Sequence, residues 1–447
     1  MSFFKAYDMR GTFGEDFDLD TVYRAGLHLP GTVAQGRWLV GRDCRATSSD
    51  VRDALVAGLE DAGAEVADIG LCTTPMVYFH TASDGYDGSV MVTASHNPPS
   101  DNGLKVSRRG ALPVGYADGL AEVEKLVLRE TRVAPHRVRP ADPAPSVGDY
   151  VAWQRARTAD PTGLAYAVDC SNGMSAMLVR ELFPGAILLN DKMDGSFPGH
   201  SPNPLKAEAR EQIAALVRKE GLDCGVIFDG DADRCMFVDE RGEFVQPDYL
   251  TPVVARATAR GTGAKVLHDV RTSRGAVEAL REDGFEPVMI PVGHAFAKPA
   301  MRRTGAACGG ELAGHYYFGE FFGCDSGVLA ARRILSEIAA AKARGETFSQ
   351  VMAPISARYA NSGELNFRVE DKEAAIARVN ECAAKSLPRE LSRSTIDGER
   401  VEYVEGWINV RKSNTEPYLR LIAECDTRAR LEEWVGLLSG AIGGTRE

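Results

Sequence analysis

The feature that most constrains the fold of this chain is an alternation of short β-branched runs with longer segments of helical period. In the first hundred residues such runs lie at 38–40, 66–69 and 90–93, and a helical period covers 51–62. This alternation is typical of βαβ units, because two neighbouring parallel strands need a crossover that a helix supplies. The sequence therefore predicts α/β domains with largely parallel sheets.

Similar units recur along the chain until its character changes near the C-terminus. Apolar runs lead into turns at "LAYAVDCSNG" and "CGVIFDGDADR", and a third set contains "KVLHDVRTSRG", "PVMIPVGH" and a helical pattern over 327–343. After a Pro- and Arg-rich stretch at 129–147 and a breaker region near 353–363, the strands "WINVRKSN" and "YLRLIAEC" precede a helix over 428–442. We predict three α/β domains and a smaller C-terminal α+β domain, with these bounds: 1–140, 141–245, 246–357 and 358–447.

Composition narrows the classes of function. The 63 acidic and 52 basic residues give a formal charge of −11, which argues against nucleic acid as a partner. Nine cysteines without a C-x-x-C pair indicate neither a disulfide framework nor a zinc site. The N-terminus "MSFFKAYDMRG" has no leader pattern, and no uncharged apolar run is long enough to span a bilayer. We expect a soluble cytoplasmic protein with no membrane partner.

A strand that breaks at a serine is the first candidate for chemistry. In "SVMVTASHNPPSDNGLKV" the apolar pattern stops at Ser95 and His96 and resumes only at Leu104, beside Lys105. An Asn-Pro pair initiates turns, and a serine beside it can simply bond local backbone. Alternatively, a hydroxyl exposed at a strand tip can act as a nucleophile or phosphate carrier. The stretch alone favours the structural explanation.

Three carboxylates at alternating positions follow a later strand. Asp229, Asp231 and Asp233 would repel one another unless a cation lay among them, and ligation by oxygen alone suits Mg²⁺ or Ca²⁺. An EF-hand loop is disfavoured, because its sixth position is Arg234 instead of glycine and a strand precedes it. A solvated acidic turn is the remaining alternative.

Three further segments are weaker signals. The turn "RKSNTEP" offers a dense set of donors that matches a phosphate, although its residues are also ordinary turn formers. The segment "GELAGH" places a carboxylate and an imidazole four residues apart, a pattern that can bind sugar hydroxyls and move protons. In "PVGHAFAK" the histidine is more often structural, and in "YDMRG" an arginine would hold negative charge and not accept a proton.

Taken together and in order, "YDMRG", "TASHNP", "DGDADR", "GELAGH" and "RKSNTEP" resemble the α-D-phosphohexomutase family over essentially the whole chain. Within it, "FKAYDMRG", "SPNPL", "HDVR" and "GELAGHYYFGEFFGCDSG" are similar to bacterial phosphomannomutases, including those that also act as phosphoglucomutases. The resemblance implies a heart-shaped molecule around a central cleft: three topologically similar mixed-sheet α/β domains and a C-terminal α+β domain of the TATA-binding-protein type.

The resemblance also implies roles for individual residues. Ser95 would be the phosphoserine and, with Asp229, Asp231 and Asp233, a ligand of Mg²⁺. The sugar would be bound by Glu311, Ala313, His315, Gly293 and His294. The phosphate that is not reacting would be held by Arg411, Ser413, Asn414, Thr415 and Arg420. The catalytic set would be Ser95, His96, Lys105, Arg10 and His315, with Tyr7, Arg234 and Arg271 completing the cleft.

The implied reaction interconverts mannose 6-phosphate and mannose 1-phosphate through a hexose 1,6-bisphosphate, which also serves as activator. The general base would be His315 or Lys105, and Lys105 would need a lowered pKa for that role. Two positions depart from the family pattern: Ala313 replaces the usual serine, which leaves the sugar preference open, and Arg271 replaces a common lysine.

Several alternatives remain at this point. Phosphoglucomutase and phosphoglucosamine mutase are the nearest, followed by a phosphatase that passes the phosphoryl group to water and by a non-catalytic phosphosugar-binding protein. The sequence leaves a monomer or a homodimer open. An intermediate that reorients without escaping needs a cleft that loosens, so we expect residues 360–447 to move as a unit.

Overall fold

Four β-sheets, one to a domain, organise the chain. The computed structural model describes residues 3–135, 147–413 and 418–446, and the sheets define domains I to IV in chain order. The domain boundary predicted near residue 140 lies outside these ranges. Across the described ranges, no helix combines the length and the apolar character needed to cross a membrane.

Domain I has a six-stranded sheet and four helices. Its strands are β1 (Met9–Thr12), β2 (Arg37–Arg42), β3 (Glu65–Leu71), β4 (Gly88–Val92), β5 (Asp101–Arg108) and β6 (Leu112–Pro113). Its helices are α1 (Leu19–Thr32), α2 (Ser48–Asp61), α3 (Thr74–Ser83) and α4 (Leu120–Arg129). The strand order is β1-β5-β4-β2-β3, with β6 beside β5.

Domain II has a five-stranded sheet of order β11-β10-β9-β7-β8. Its strands are β7 (Tyr166–Asp169), β8 (Ile187–Leu189), β9 (Cys224–Phe228), β10 (Cys235–Asp239) and β11 (Phe244–Val245). Its helices are α5 (Gly148–Arg155), α6 (Val179–Leu182) and α7 (Ala207–Glu220).

Domain III has a five-stranded sheet of order β13-β12-β14-β15-β16. Its strands are β12 (Lys265–Asp269), β13 (Glu286–Ile290), β14 (Cys308–Gly310), β15 (Tyr316–Phe318) and β16 (Cys324–Asp325). Its helices are α8 (Thr251–Ala259), α9 (Arg274–Glu282), α10 (His294–Thr304), α11 (Gly327–Ala343) and α12 (Phe348–Ser356).

The three sheets share one plan, which is mixed and not largely parallel. In each domain three strands are parallel, and the strand after them is antiparallel: β5 beside β4, β10 beside β9 and β15 beside β14. The mixed sheets that the family resemblance implies are therefore confirmed, whereas the largely parallel sheets predicted from the alternation alone are wrong at the antiparallel strands. The physical reason is that a short loop, with no crossover helix, joins each of these pairs, and such a loop permits only antiparallel pairing.

Domain IV is an antiparallel sheet covered by two helices. Its strands are β17 (Ala360–Asn361), β18 (Leu365–Arg368), β19 (Glu390–Ser394), β20 (Glu399–Tyr403), β21 (Gly406–Lys412), β22 (Tyr418–Cys425) and β23 (Thr445–Arg446). Its helices are α13 (Lys372–Ser386) and α14 (Arg428–Ile442). The order is β19-β20-β21-β22-β18-β23, with β17 beside β22.

Several elements predicted from the sequence are confirmed. The helical patterns over 327–343 and 428–442 are α11 and α14, and the two C-terminal strands are β21 and β22. The breaker region was predicted to start near residue 353, and this start is wrong, because α12 continues to Ser356 and includes Pro354. Local apolar patterns thus located these elements, while one proline was tolerated in a helix.

Domains I, II and III share a hydrophobic core, whereas domain IV has a separate one. One continuous core joins residues of domains I, II and III, among them Met76, Phe228 and Leu329. Domain IV has a core of its own, which includes Trp434 and Leu421. The first three domains are therefore tied together by apolar packing to a degree that domain IV is not.

Equivalent strands position the candidate residues. The loops that follow β4, β9 and β14, the third parallel strand of each α/β domain, begin the segments that contain Ser95, Asp229 and Glu311. The carboxyl ends of such strands form a common edge where ligands bind in open α/β sheets. The shared topology thus explains why three separate motifs can face one site.

Candidate active site

The loop between β4 and β5 presents Ser95 in an unusual backbone conformation. Ser95 has φ 53°, the left-handed region that is rare for residues other than glycine, and it is buried. Its amide donates to Thr93 Oγ1 over 2.9 Å, and its Oγ donates to Asp229 Oδ2 over 2.7 Å. Strain of this kind persists only where the surroundings enforce it, and here it aims the hydroxyl at the acidic loop of domain II.

Arg45 fixes the backbone of the loop between β4 and β5. The buried guanidinium donates to four backbone carbonyls of the loop, over 2.5 to 3.0 Å: Ser95, Asn97, Pro98 and Asp101. Asp43 pairs with Arg45 Nε over 3.1 Å and also accepts from Thr93 Oγ1 over 2.7 Å. The sequence analysis missed this clamp, since its only local signal is an arginine shortly after β2.

The acidic loop after β9 brings its three carboxylates together. Asp229, Asp231 and Asp233 are buried, and one oxygen of each lies within 4.8 Å of the others. Asp231 Oδ1 and Asp233 Oδ1 are buried without a hydrogen-bond partner among the described residues. A set of buried oxygen donors with unused lone pairs fits a hard divalent cation such as Mg²⁺. The solvated acidic turn is excluded, because these side chains are not solvated.

The three buried carboxylates of this loop also repel one another. Burial, together with Asp233 and Asp231, raises the pKa of Asp229 well above its ordinary value. Lys105 Nζ supplies part of the missing positive charge, donating to Asp231 Oδ2 over 2.7 Å and to Asp233 Oδ2 over 2.6 Å. A second positive centre would relieve the repulsion that remains.

Lys105 does not have the pKa that a general base needs. Burial alone would lower the pKa of Lys105, but its ion pairs with Asp231 and Asp233 outweigh burial and raise it above the ordinary value. The shift is opposite to the one that proton acceptance requires, so the described contacts favour Lys105 as a holder of negative charge over Lys105 as the general base. Lys105 is suited to holding negative charge.

Arg10 and His96 also lie in the surroundings of Ser95. Arg10 donates to Asn97 Oδ1 over 3.1 Å and pairs with Asp8 over 2.5 Å. His96 Nδ1 lies 3.3 Å from Ser95 Oγ. Burial, reinforced by nearby Arg234 and Arg10, holds the pKa of His96 well below its ordinary value, so the ring is neutral near pH 7.

The segment after β14 forms a polar wall around Glu311. Glu311 accepts from the amide of Gly293 over 2.6 Å and from the Tyr317 hydroxyl over 2.7 Å. Gly293 has φ 119°, and a Cβ there would meet the ring of Tyr7 at 3.2 Å, so glycine is required on both counts. Ala313 in the same segment is half-buried and offers no hydroxyl.

His315 links this wall to the acidic loop. Its backbone forms an isolated β-bridge with Arg234, and Arg234 Nε donates to His315 Nε2 over 2.9 Å. The ring of His294 lies 6.4 Å from that of His315, and burial and Lys298 hold the pKa of His294 well below its ordinary value. The structure thus brings His315, Arg234 and the carboxylates into one cluster with Ser95.

A separate cluster collects three arginines around one carboxylate. Arg411 Nη2 lies 2.8 Å, Arg420 Nη1 3.0 Å and Arg271 Nη1 3.5 Å from an oxygen of Glu364. Ser413 lies at the end of β21 beside them, whereas the predicted Asn414 and Thr415 lie outside the described residues. Arg271 is also paired with Asp269, so two carboxylates face three guanidinium groups and the cluster retains positive charge for an anion.

One hydrogen bond within domain III joins this cluster to the segment after β14, and another joins domain III to domain IV. Asp269, which pairs with Arg271 over 2.6 Å, accepts from the amide of Leu312 over 3.1 Å. Asp397 of domain IV accepts from the amide of Val292 over 2.9 Å. Glu364, the centre of the cluster, was not anticipated, since a single Glu beside a glycine carries no signal in the sequence.

Comparison with known families identifies the fold. Four profiles match this chain in order: "Phosphoglucomutase/phosphomannomutase, alpha/beta/alpha" domain I over residues 1–133, domain II over 149–242, domain III over 246–359, and the C-terminal domain over 364–438. The chain belongs to the phosphoglucomutase/phosphomannomutase family. It is therefore a phosphohexomutase, an isomerase of carbohydrate metabolism.

Relatives within the family are similar over nearly the whole length. A phosphomannomutase of Escherichia coli is 36% identical, over 97% of this chain and 98% of the relative. The phosphohexose mutases of Xanthomonas campestris pv. campestris (strain B100) are 36% identical over 96% of both chains. A family member from Burkholderia thailandensis has a solved structure with TM-score 0.84 and 29% identity, covering 99% of this chain and 98% of that one.

Proposed function

We propose that this phosphohexomutase interconverts mannose 6-phosphate and mannose 1-phosphate, with Mg²⁺, through a phosphoryl group on Ser95 and a hexose 1,6-bisphosphate intermediate. The observation that carries the proposal is the strained Ser95, whose Oγ lies 2.7 Å from Asp229 in a buried acidic cluster. A hydroxyl held in this way, beside Arg10, Lys105 and Arg234, suits phosphoryl transfer, which depends on positioning and charge stabilisation.

The forward reaction balances in two transfers. In the first, the Ser95 Oγ–P bond breaks and an O1–P bond forms, while the O1 hydroxyl proton passes to a general base. The bisphosphate then turns end for end. In the second, its O6–P bond breaks, the phosphoryl group returns to Ser95 Oγ, and O6 recovers a proton. His315 is the remaining candidate for the base, because Nε2 acts as a hydrogen-bond acceptor.

Mg²⁺ fits the residues of the acidic loop. Asp229, Asp231 and Asp233 would hold it together with an oxygen on Ser95, as the orphaned carboxylate oxygens indicate. When bound, it would supply positive charge to the oxygens of the phosphoryl group. The chain's own cations, Arg10, Lys105 and Arg234, would share that task.

The arginine cluster is suited to the phosphate at the far end of the sugar. In one transfer this is the 6-phosphate and in the other the 1-phosphate, so the clamp must accept either. Arg411 and Arg420 offer bidentate forks, and Ser413 adds a hydroxyl. Asn414, Thr415 and Arg271 belong to this proposed set as well.

Glucose phosphates are the second candidate substrates. The similar proteins include a phosphomannomutase, whose name specifies mannose, and "phosphohexose mutases", whose name leaves the hexose open. Glu311 is held through both of its carboxylate oxygens, by Gly293 and Tyr317, and neither contact distinguishes mannose from glucose. Ala313 removes one hydroxyl that could favour a particular sugar, and we expect a measurable rate with glucose 6-phosphate.

The setting proposed for this reaction is a reducing cytoplasm, with the enzyme as a monomer or a homodimer. All nine cysteines lie in the described part of the chain and carry free thiols, which agrees with such a compartment.

A coupled assay on mannose, glucose and glucosamine 6-phosphates tests the proposal. With Mg²⁺ and a hexose 1,6-bisphosphate, the wild type should form the 1-phosphate most efficiently from mannose 6-phosphate. Ser95→Ala should abolish turnover, whereas Ser100→Ala, an exposed serine of the same loop, should leave it unchanged. No turnover with any of the three sugars, or steady release of inorganic phosphate in its place, would refute the mutase mechanism.

A further inference from the structure

Behind His315 lies a buried pair of opposite charges that the proposed reaction does not use. Asp325 Oδ2 lies 2.8 Å from His315 Nδ1, and Asp325 Oδ1 lies 2.9 Å from Lys298 Nζ. Asp325 and Lys298 are completely inaccessible to solvent. The ring of Tyr78, from domain I, covers the ammonium group with its centroid 3.3 Å from Nζ. Burying such a pair is costly, so its presence calls for a function.

The contacts of His315 define which ring nitrogen carries its proton. Arg234 Nε donates to His315 Nε2 over 2.9 Å, and an arginine nitrogen can only donate. Nε2 is therefore the acceptor, and the neutral ring carries its proton on Nδ1, which faces Asp325. The other nearby carboxylate oxygen, Asp233 Oδ1, is more distant at 3.7 Å.

Asp325 is held in place by secondary structure on both sides. It ends strand β16, where it pairs with Tyr317 of β15. The next residue, Ser326, caps helix α11 by accepting from the amide of Leu329 over 3.2 Å. At the start of α11 a Cβ on Gly327 would lie 2.6 Å from the backbone of Arg234, so the helix packs directly on the acidic loop. The carboxylate is thus fixed relative to the loop that carries the metal-binding residues.

Lys298 maintains the charge of this carboxylate. Burial alone would raise the pKa of Asp325, but Lys298 and His315 lower it well below its ordinary value. Lys298 lies on α10, one turn after His294, and makes its ion pair from within the same domain. The 2.8 Å approach of Oδ2 to Nδ1 lacks the alignment of a hydrogen bond, so the ionised carboxylate favours the proton on Nδ1 through its charge at short range.

We propose that Asp325, paired with Lys298, is the positioning residue that keeps the proton of His315 on Nδ1 and leaves the lone pair of Nε2 directed at the substrate. The inference rests on the proposed function, in which His315 takes the proton of a sugar hydroxyl. When a hydroxyl replaces Arg234 as the donor, its proton passes to Nε2, and the imidazolium that forms lies against Asp325. The proton returns from Nε2 to the other oxygen of the sugar in the second transfer.

Nitrogen NMR of histidine-labelled enzyme, combined with kinetics, tests this role. The chain has eight histidines, and His315→Gln assigns the signals of His315. The wild type should show a protonated Nδ1 and an unprotonated Nε2. Asp325→Asn should mix the two tautomers and lower kcat by about 100-fold while KM changes less than about twofold, since a wrong tautomer disables a base without removing binding.

A double variant separates positioning from a merely structural effect. Asp325→Asn leaves Lys298 unpaired, so its melting temperature should fall. Combining it with Lys298→Met removes both charges and should restore much of the melting temperature but neither the tautomer nor kcat. Asp239→Asn, which alters an equally buried carboxylate in domain II, is the matched control and should preserve the tautomer of His315.

The outcomes distinguish this inference from the proposed function. Recovery of kcat together with stability in the double variant, or a wild-type ring protonated on Nε2, would overturn the role of Asp325. If the wild type isomerises none of the three sugar phosphates, the proposed function fails. The tautomer measurement would in that case still decide whether Asp325 positions His315.

Discussion

Glu364 lies at the centre of the arginine cluster formed by Arg271, Arg411 and Arg420. It contacts Arg411 and Arg420 of its own domain and Arg271 of domain III. Without it, the three guanidinium groups would lose their shared carboxylate, Asp269 would still pair with Arg271, and the remaining repulsion would spread the groups apart. The carboxylate therefore keeps the cluster compact before any anion binds.

The pH dependence of stability should reveal this role. Burial opposes ionisation of Glu364, but Arg271, Arg411 and Arg420 lower its pKa from 4.5 to about 2. Because the folded-state pKa lies below the unfolded value, the contribution is complete above pH 4.5 and is lost as the pH falls toward 2. It amounts to about 3 kcal/mol at pH 7, of which about 1 kcal/mol is lost by pH 4.

Denaturant unfolding of the wild type and Glu364→Gln at pH 7 and pH 4 measures this effect. The stability difference between the two should be largest at pH 7 and smaller at pH 4. Glu433→Gln, an exposed carboxylate of the same domain, should alter stability little at either pH. A difference for Glu364→Gln that stays constant with pH would contradict the assignment.

Whether a site residue could be predicted from the sequence depends on how far along the chain its contact partners lie. The three aspartates follow an apolar run by a few residues, which is a local signal, whereas Ser95 was predicted through the resemblance that five separate motifs carry. Glu364 could not be predicted, because Arg271 is 93 residues away and only the docking of domain IV brings them together. The direction of the Lys105 pKa shift was also inaccessible, since it depends on carboxylates of another domain.

At the scale of elements, the active site depends on how closely two loops approach. The loop after β9 lies against the loop after β4 at Gly230, where a Cβ would be 2.5 Å from the carbonyl oxygen of Ser95. On its other side, Met174 donates its amide to the carbonyl of Gly230 over 2.9 Å. The acidic loop is therefore held between the serine loop and the turn after β7, with no space for a methyl group.

A pair of glycine-to-alanine changes tests this packing. Gly230 has no left-handed φ, so Gly230→Ala acts through the added methyl group alone. It should force the two loops apart, cost about 1–3 kcal/mol of stability and lower kcat by at least about tenfold. Gly436, within α14, has nothing within 4 Å of its would-be Cβ. Gly436→Ala should leave kcat unchanged and stabilise by up to about 1 kcal/mol.

Kinetics and thermal unfolding of both variants provide the measurement. Activity in Gly230→Ala equal to that of the wild type would mean that the loops can separate without consequence for Ser95. Sequence patterns gave the strands that precede these loops, but the contact itself arises from the docking of domain I on domain II. No pattern within either segment encodes it.

At the scale of the whole molecule, domain IV is attached by polar contacts and not by a shared core. The buried Glu424 accepts from the amide of Arg274 over 2.8 Å, from Trp407 Nε1 over 2.7 Å and from Asn361 Nδ2 over 2.9 Å. Arg400 donates to the carbonyls of Val270 and Thr272 over 2.7 and 2.8 Å. Directional bonds of this kind can break and re-form as a set, which agrees with the expectation that domain IV moves as a unit.

Weakening this attachment should therefore affect the fate of the intermediate more than the chemical step. Glu424→Gln keeps one acceptor oxygen but loses the charge and the bond from Asn361, so domain IV should unfold at a lower temperature in calorimetry. If the bisphosphate reorients in a cleft that domain IV closes, it should escape more often, and the variant should need more added hexose 1,6-bisphosphate for full activity. Glu432→Gln, exposed on α14, is the control for both readouts. An unchanged requirement for bisphosphate in a variant whose domain IV has become less stable would show that this interface does not retain the intermediate.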